Sequence, residues 1–223
     1  MALAALTLAA EVVAGPVREG RADRPEAALA INVVWGTPYV LPMAKTLQRE
    51  GARATFFLGG RWAEAHPEIV RELVALGMEI GNHGFAHRHV GGLDLRRNLE
   101  EIRRAERAIA AAGGGRTRLY APAFGELAPA VLRAAHELGY RTVMWSADTI
   151  DWRPWHSADI IAARALRGLR PGAIILMHPT SRTLAALPGI LEGMRARGLK
   201  AVTVSRLIEA PLAPVKPAQA GVT

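Results

Sequence analysis

The strongest constraint on this chain is an alternation. Short apolar runs are separated by longer stretches whose apolar residues recur at helical spacing. The runs fall at Ala28–Trp35, Ala54–Leu58, Glu79–Asn82, Thr117–Ala121, Thr142–Ser146, Ala173–Met177 and Ala201–Val204, and their length and composition predict strands. The clearest stretch between them is LDLRRNLEEIRRAERAIAAAGGG, where Leu95, Leu99, Ile102 and Ile109 share one helical face and three glycines end the helix. Strands that alternate with helices imply a mainly parallel sheet with helices outside it, either open or closed into a barrel. In both forms, chemistry collects on the loops at the C-terminal ends of the strands. A length of 223 residues suits one such core.

The ends read differently. MALAALTLAAEVVAG lacks a basic n-region and is too short to span a bilayer, so it reads as a signal remnant or an amphipathic helix. Any membrane contact is expected through this segment alone. The stretch after Ile208 is rich in Pro and Ala and reads as an extended end. The expected division is an extension over 1–27, one domain over 28–209 and a tail over 210–223.

The formal net charge is +8, but of 28 basic residues only Lys45, Lys200 and Lys216 are lysine. The arginines recur beside glutamates on helix faces, as in NLEEIRRAERAIA. That pattern argues against a nucleic-acid partner and for a general attraction to anionic polymers such as cell-wall glycans. The chain has no cysteine, which excludes disulfides and thiolate chemistry.

Three strand-end loops carry candidate chemistry. IGNHGFAHRH supplies His83 and His87 four apart; on a helical turn such a pair can hold one divalent cation, and a His-rich surface turn is the plain alternative. WSADTIDWRPW places Asp148 and Asp151 three apart beside Trp152. Such carboxylates can orient a base or tune a histidine, or simply cap the helix expected near Ser157. GAIILMHPT ends an apolar strand at His178, where a titratable acid can face the centre.

Taken together, these segments resemble the polysaccharide deacetylase family of the carbohydrate esterase family 4 type, over roughly residues 28–209. ATFFLGGRWAEAHPEIVRELVALGMEIGNHGFAH is similar to its second and third units, WSADTIDW to its D-x-x-D-W motif, and IILMH to its last motif. The resemblance implies an α/β fold, the distorted (β/α)7-type NodB-homology barrel. It also implies His83 and His87 as metal ligands, His178 as general acid, and N-acetylhexosamine polymers such as peptidoglycan or chitin-like glycans as partners. INVxWG resembles a sporulation-associated branch, and an extracytoplasmic or cell-envelope location follows from the same likeness.

The first motif departs from the family. Where members carry T-F-D-D-G, with one Asp as base and the other as third metal ligand, this chain has Val34 and Trp35 before Gly36. Where members carry R-x-P-x-G, Ala121 replaces the arginine. An indole is donor-only and cannot stand in for a carboxylate ligand. Loss of a general base costs about 10²–10⁴-fold in rate. The sequence therefore leads to two readings. One is a groove that binds glycan with de-N-acetylation impaired or absent, and with a divalent metal, zinc by resemblance, held weakly or not at all. The other is an active metal-dependent de-N-acetylase with a rebuilt site, in which Asp148 or Asp151 is the base; His89 is too close in sequence to contribute readily. Tyr39, Phe85, Phe124, Trp152 and Trp155 are candidate sugar-stacking residues, among which Tyr39, Phe124 and Trp152 are the expected substrate-binding set.

Overall fold

The computed structural model describes residues 15–209; the segments read above as a leader and a tail lie largely outside them. The elements in chain order are β1 (Glu26–Val33), α1 (Thr37–Arg49), β2 (Thr55–Leu58), α2 (Gly60–Ala65), α3 (Pro67–Ala75), β3 (Glu79–Asn82), α4 (Leu95–Ala111), β4 (Leu119–Tyr120), α5 (Pro129–Glu137), β5 (Arg141–Thr142), β6 (Ala147–Asp148), α6 (Ala158–Gly168), β7 (Ile174–Met177), α7 (Ser181–Ala196), β8 (Lys200–Val202) and α8 (Val204–Ile208). The strands run parallel in the order β5-β4-β3-β2-β1-β7-β6, with β8 also on β1. The sheet is curled, with the helices packed around it.

All eight residues of β1 are buried, because the strand has a core on each face. Leu29, Ile31 and Val33 pack outward against Met43 and Leu47 of α1 and Leu187 and Ile190 of α7. Ala28 and Ala30 face inward, with Phe57, Leu119, Ala121, Val143 and Ile174. This inner cluster plugs the barrel. It is close-packed: a Cβ on Gly81 would fall 2.3 Å from the Phe57 ring.

The expected strand over Thr142–Ser146 does not form as such: two short strands flank it, β5 ending at Thr142 and β6 beginning at Ala147. β5 pairs with β4, whereas β6 pairs with β7, so the chain between them must leave one neighbour for the other. The N-terminal segment enters this gap: Val17 N donates to Thr142 O (2.8 Å) and Met144 N donates to Val17 O (2.8 Å). The residues just before β1 thus take part in the sheet, and β1 begins at Glu26, two residues ahead of the expected start. The long helix falls where its pattern predicts. Asp94 caps it by accepting from Arg97 N, and Ile102 and Ile109 are fully buried.

The barrel plug makes a direct prediction. Gly81→Ala should destabilise the protein by about 1–3 kcal/mol through overpacking. Phe57→Leu added to it should recover part of the loss, as read from urea unfolding of the single and double variants.

Candidate functional site

At the C-terminal ends of the strands lies a cavity of about 470 Å³, within the ordinary range for small-molecule sites. Its polar lining is Asn32, His83, His87, Asp148 and His178; its apolar lining includes Trp35, Phe124, Trp145, Trp152 and Leu176. All three non-glycine residues with positive φ among the described residues, His87 (49°), Phe124 (56°) and Ile150 (52°), sit in the loops around it. Backbone strain of this kind gathers at functional sites.

His83 follows β3 and is buried. Its Nδ1 is 2.7 Å from Ala121 O, so it carries the proton there and Nε2 keeps the lone pair. Burial pushes the His83 pKa down to about 3, and burial together with His178 and His89 lowers that of His87; desolvation disfavours the charged ring. The histidine pair lies in a loop, not on the helical turn its spacing suggested. Gly84 (φ 76°) and His87 in left-handed conformations turn the chain back, leaving the two ring centroids 5.1 Å apart.

Asp151 is fully buried and both its oxygens are engaged. Oδ1 accepts from His178 Nδ1 (2.8 Å), while Oδ2 accepts from His178 N (2.6 Å) and Thr183 Oγ1 (2.7 Å). This is the geometry of a residue that orients His178. Asp148 instead lines the cavity, where its Oδ1 accepts from Ile150 N at 2.7 Å.

The strand-end substitutions take distinct positions. Gly36 has φ 83°, and a Cβ there would stand 2.5 Å from Pro179 O, so the β1–α1 turn presses on the turn after β7. That approach lays the Trp35 indole on the His178 ring, with centroids 5.3 Å apart and planes 14° from parallel, and sets its edge against His87. Val34 packs over Gly59 and does not line the cavity. Ala121 belongs to the apolar plug; an arginine there would put a guanidinium among alanines and Phe57.

The other aromatic candidates divide. Phe124 and Trp152 line the cavity, whereas Tyr39, in the first turn of α1, does not. Phe85 is buried with Ala105 and Ala108, which makes it a packing residue. Trp155 is 68% exposed beyond the rim. His89 bonds Glu126 and stacks on Phe124 at 4.1 Å, so it braces the rim. The sequence reading missed Asn32, Trp145 and Leu176. The period-2 alternation of β1 does place Asn32 on the same inward face as Ala28 and Ala30, whereas nothing local marks Trp145 at the bend between β5 and β6.

A family model described as polysaccharide deacetylase matches residues 20–143. The chain belongs to the polysaccharide deacetylase family. It is 34% identical over 194 residues to YlxY, an uncharacterized Bacillus subtilis protein, covering 87% of this chain and 60% of that one. To a peptidoglycan-N-acetylglucosamine deacetylase of Bacillus cereus it is 30% identical over 178 residues, covering 78% of this chain and 63% of that one. The chain thus spans less than two thirds of either relative. Among solved structures, a CE4 family pseudoenzyme from Bacillus anthracis superposes with a TM-score of 0.84 at 32% identity, covering 87% of this chain and 69% of that one.

Deacetylases of this family are generally metal-dependent, and a catalytic zinc site takes three protein ligands. Here the donor set is two imidazoles, with an indole against them. Among the described residues no group of three or more His, Cys, Asp or Glu side chains is placed to hold a metal ion. The residues do not fit a three-ligand centre.

The two carboxylates should respond differently to neutralisation. Asp151→Asn sets an amide N–H against donors in a buried pair and should cost about 3 kcal/mol or more. Asp148→Asn keeps the acceptor for Ile150 and should stay within about 0.5 kcal/mol. Denaturant titration of the two variants measures both.

Proposed function

We propose that this polysaccharide deacetylase family member binds N-acetylhexosamine polymers, such as peptidoglycan or chitin-like glycans, at the cell envelope, and that standard metal-dependent de-N-acetylation is impaired or absent in it. One observation carries the reading: the Trp35 indole lies flat on His178 and edge-on to His87, on the tip of the strand where members place a carboxylate ligand. A divalent metal would have His83 and His87 and no third ligand of the usual kind, so weak binding at most is the expectation. The sporulation-associated likeness of INVxWG agrees with a cell-wall role.

What remains suits recognition. Trp35, Phe124, Trp145 and Trp152 give the cavity aromatic walls, on which the C–H faces of a pyranose can stack. The rebuilt-catalyst reading is less favoured. Asp151 has both oxygens committed, which leaves Asp148 alone to serve as base with no matching metal centre.

Ligand-induced stabilisation tests the binding reading. N-acetylglucosamine oligomers or soluble peptidoglycan fragments should raise the melting temperature, since a ligand at 100 times its Kd adds about 2.7 kcal/mol to the native state. Trp152→Ala should reduce that rise. No shift with any glycan at millimolar concentration would contradict the proposal.

A further inference from the structure

A second hollow, of about 400 Å³, lies beside the first turns of α4, where Arg88, Arg96, Arg97 and Arg104 meet Glu100 and Glu101. The strand-end cavity, by contrast, has no lysine or arginine in its lining. One loop separates the two hollows: His87 lines the first and Arg88 the second.

Four guanidinium groups thus stand against two carboxylates, and one of these is already spent. Glu101 is buried; its Oε2 accepts from Phe85 N and Ala86 N, each at 3.0 Å, and its Oε1 lies 3.3 Å from Arg88 Nε. Its charge ties the histidine-bearing loop to α4. Glu100 is exposed and forms no ion pair among the described residues. The Arg104 guanidinium carbon sits 3.9 Å from the centroid of the Phe85 ring. That contact orients the fork and leaves its N–H edge free. Among the described residues, no protein acceptor meets the guanidinium of Arg96, Arg97 or Arg104.

A hollow with an excess of one charge concentrates ions of the other sign, and the planar arginine fork matches a carboxylate with two parallel N–H bonds. A chitin-like chain offers no such group. Peptidoglycan has an N-acetylhexosamine backbone too, but alternate sugars bear a lactyl group extended by a peptide with free carboxylates. Of the two polymers, only peptidoglycan can occupy both hollows at once.

We propose that the arginine hollow is a subsite for the peptide carboxylates of peptidoglycan, bound by Arg96, Arg97 and Arg104 while a neighbouring sugar occupies the strand-end cavity. The inference rests on the glycan-binding reading and chooses between its polymers: the charge on the stem peptide selects peptidoglycan over a neutral glycan.

Isothermal titration of the full chain tests this with three probes: a peptidoglycan tetrasaccharide bearing stem peptides, the same fragment with its carboxylates amidated, and the neutral N-acetylglucosamine tetramer. The acidic fragment should bind at least about tenfold tighter than the amidated one, a difference of about 1.4 kcal/mol, and added salt should shrink that margin. Arg96→Gln combined with Arg104→Gln, which keeps helix propensity nearly constant, should bring the two fragments within about threefold and leave the neutral tetramer unchanged. Arg141→Gln combined with Arg167→Gln removes the same charge from exposed positions outside the hollow and should keep the preference. Equal binding of the acidic and amidated fragments overturns the inference and leaves the groove reading standing. So does a preference that survives the Arg96 and Arg104 changes, or one lost equally in the Arg141 and Arg167 control. A glycerol phosphate oligomer that binds more tightly than the acidic fragment would give the hollow to a phosphodiester polymer and overturn the inference as well. A chain that binds none of the three probes overturns both readings.

Discussion

Burial of β1 on both faces governs the shape of the site as well as the fold. Its backbone shares ladders with β2, β7 and β8, so its register cannot slip without exposing one of two cores. The alternation that sends Leu29, Ile31 and Val33 to the helix layer sends Ala28 and Ala30 to the barrel plug, and one step further along the same face delivers Asn32 to the cavity. Beyond Val33 the ladder ends. Gly36 then lets the turn close on Pro179, and that closure places Trp35 on His178. The character of the site therefore follows from a strand constraint and a glycine, with Trp35 supplying the chemistry.

The buried polar groups around the cavity are held with few degrees of freedom. Asp151, Thr183 and the His178 backbone fix one imidazole; the Ala121 carbonyl fixes another. These contacts organise the histidines whether or not a reaction follows, so retention of the histidines says little about activity on its own. The strand tip is more informative. Zinc or a comparable cation needs a third lone pair beside the imidazoles, and an indole has none to give.

Much of this was legible in the sequence. The alternation of apolar runs with helical spacing gave the parallel α/β architecture, since the central strands β1, β2 and β7 are buried along their whole length and the helices pack one face against them. The segments bearing His83, His87, Asp148, Asp151 and His178 could be singled out because they lie at or just beyond strand ends, Asp148 being the last residue of β6. Three particulars were hidden. The Thr142–Ser146 run looks like one strand because most of its residues are apolar, but the switch of pairing from β4 to β7 is a tertiary demand that turns most of it into the connection between β5 and β6. His83 and His87 have helical spacing, yet Gly84 and the left-handed His87 bend the loop back. The distinct tasks of Asp148 and Asp151 depend on Thr183 and His178, more than twenty-five residues further along the chain, and no local pattern announces them.

On the proposed reading, Trp35 occupies the place a carboxylate ligand would need, leaving the groove to bind without turning over. The most direct test is acetate release from an N-acetylglucosamine oligomer by the zinc-supplemented wild-type chain, with zinc content measured after dialysis against a mild chelator. No acetate above background and well under one zinc per chain are expected. Sustained acetate release, with about one zinc retained per chain and lost in His83→Ala, would contradict that reading.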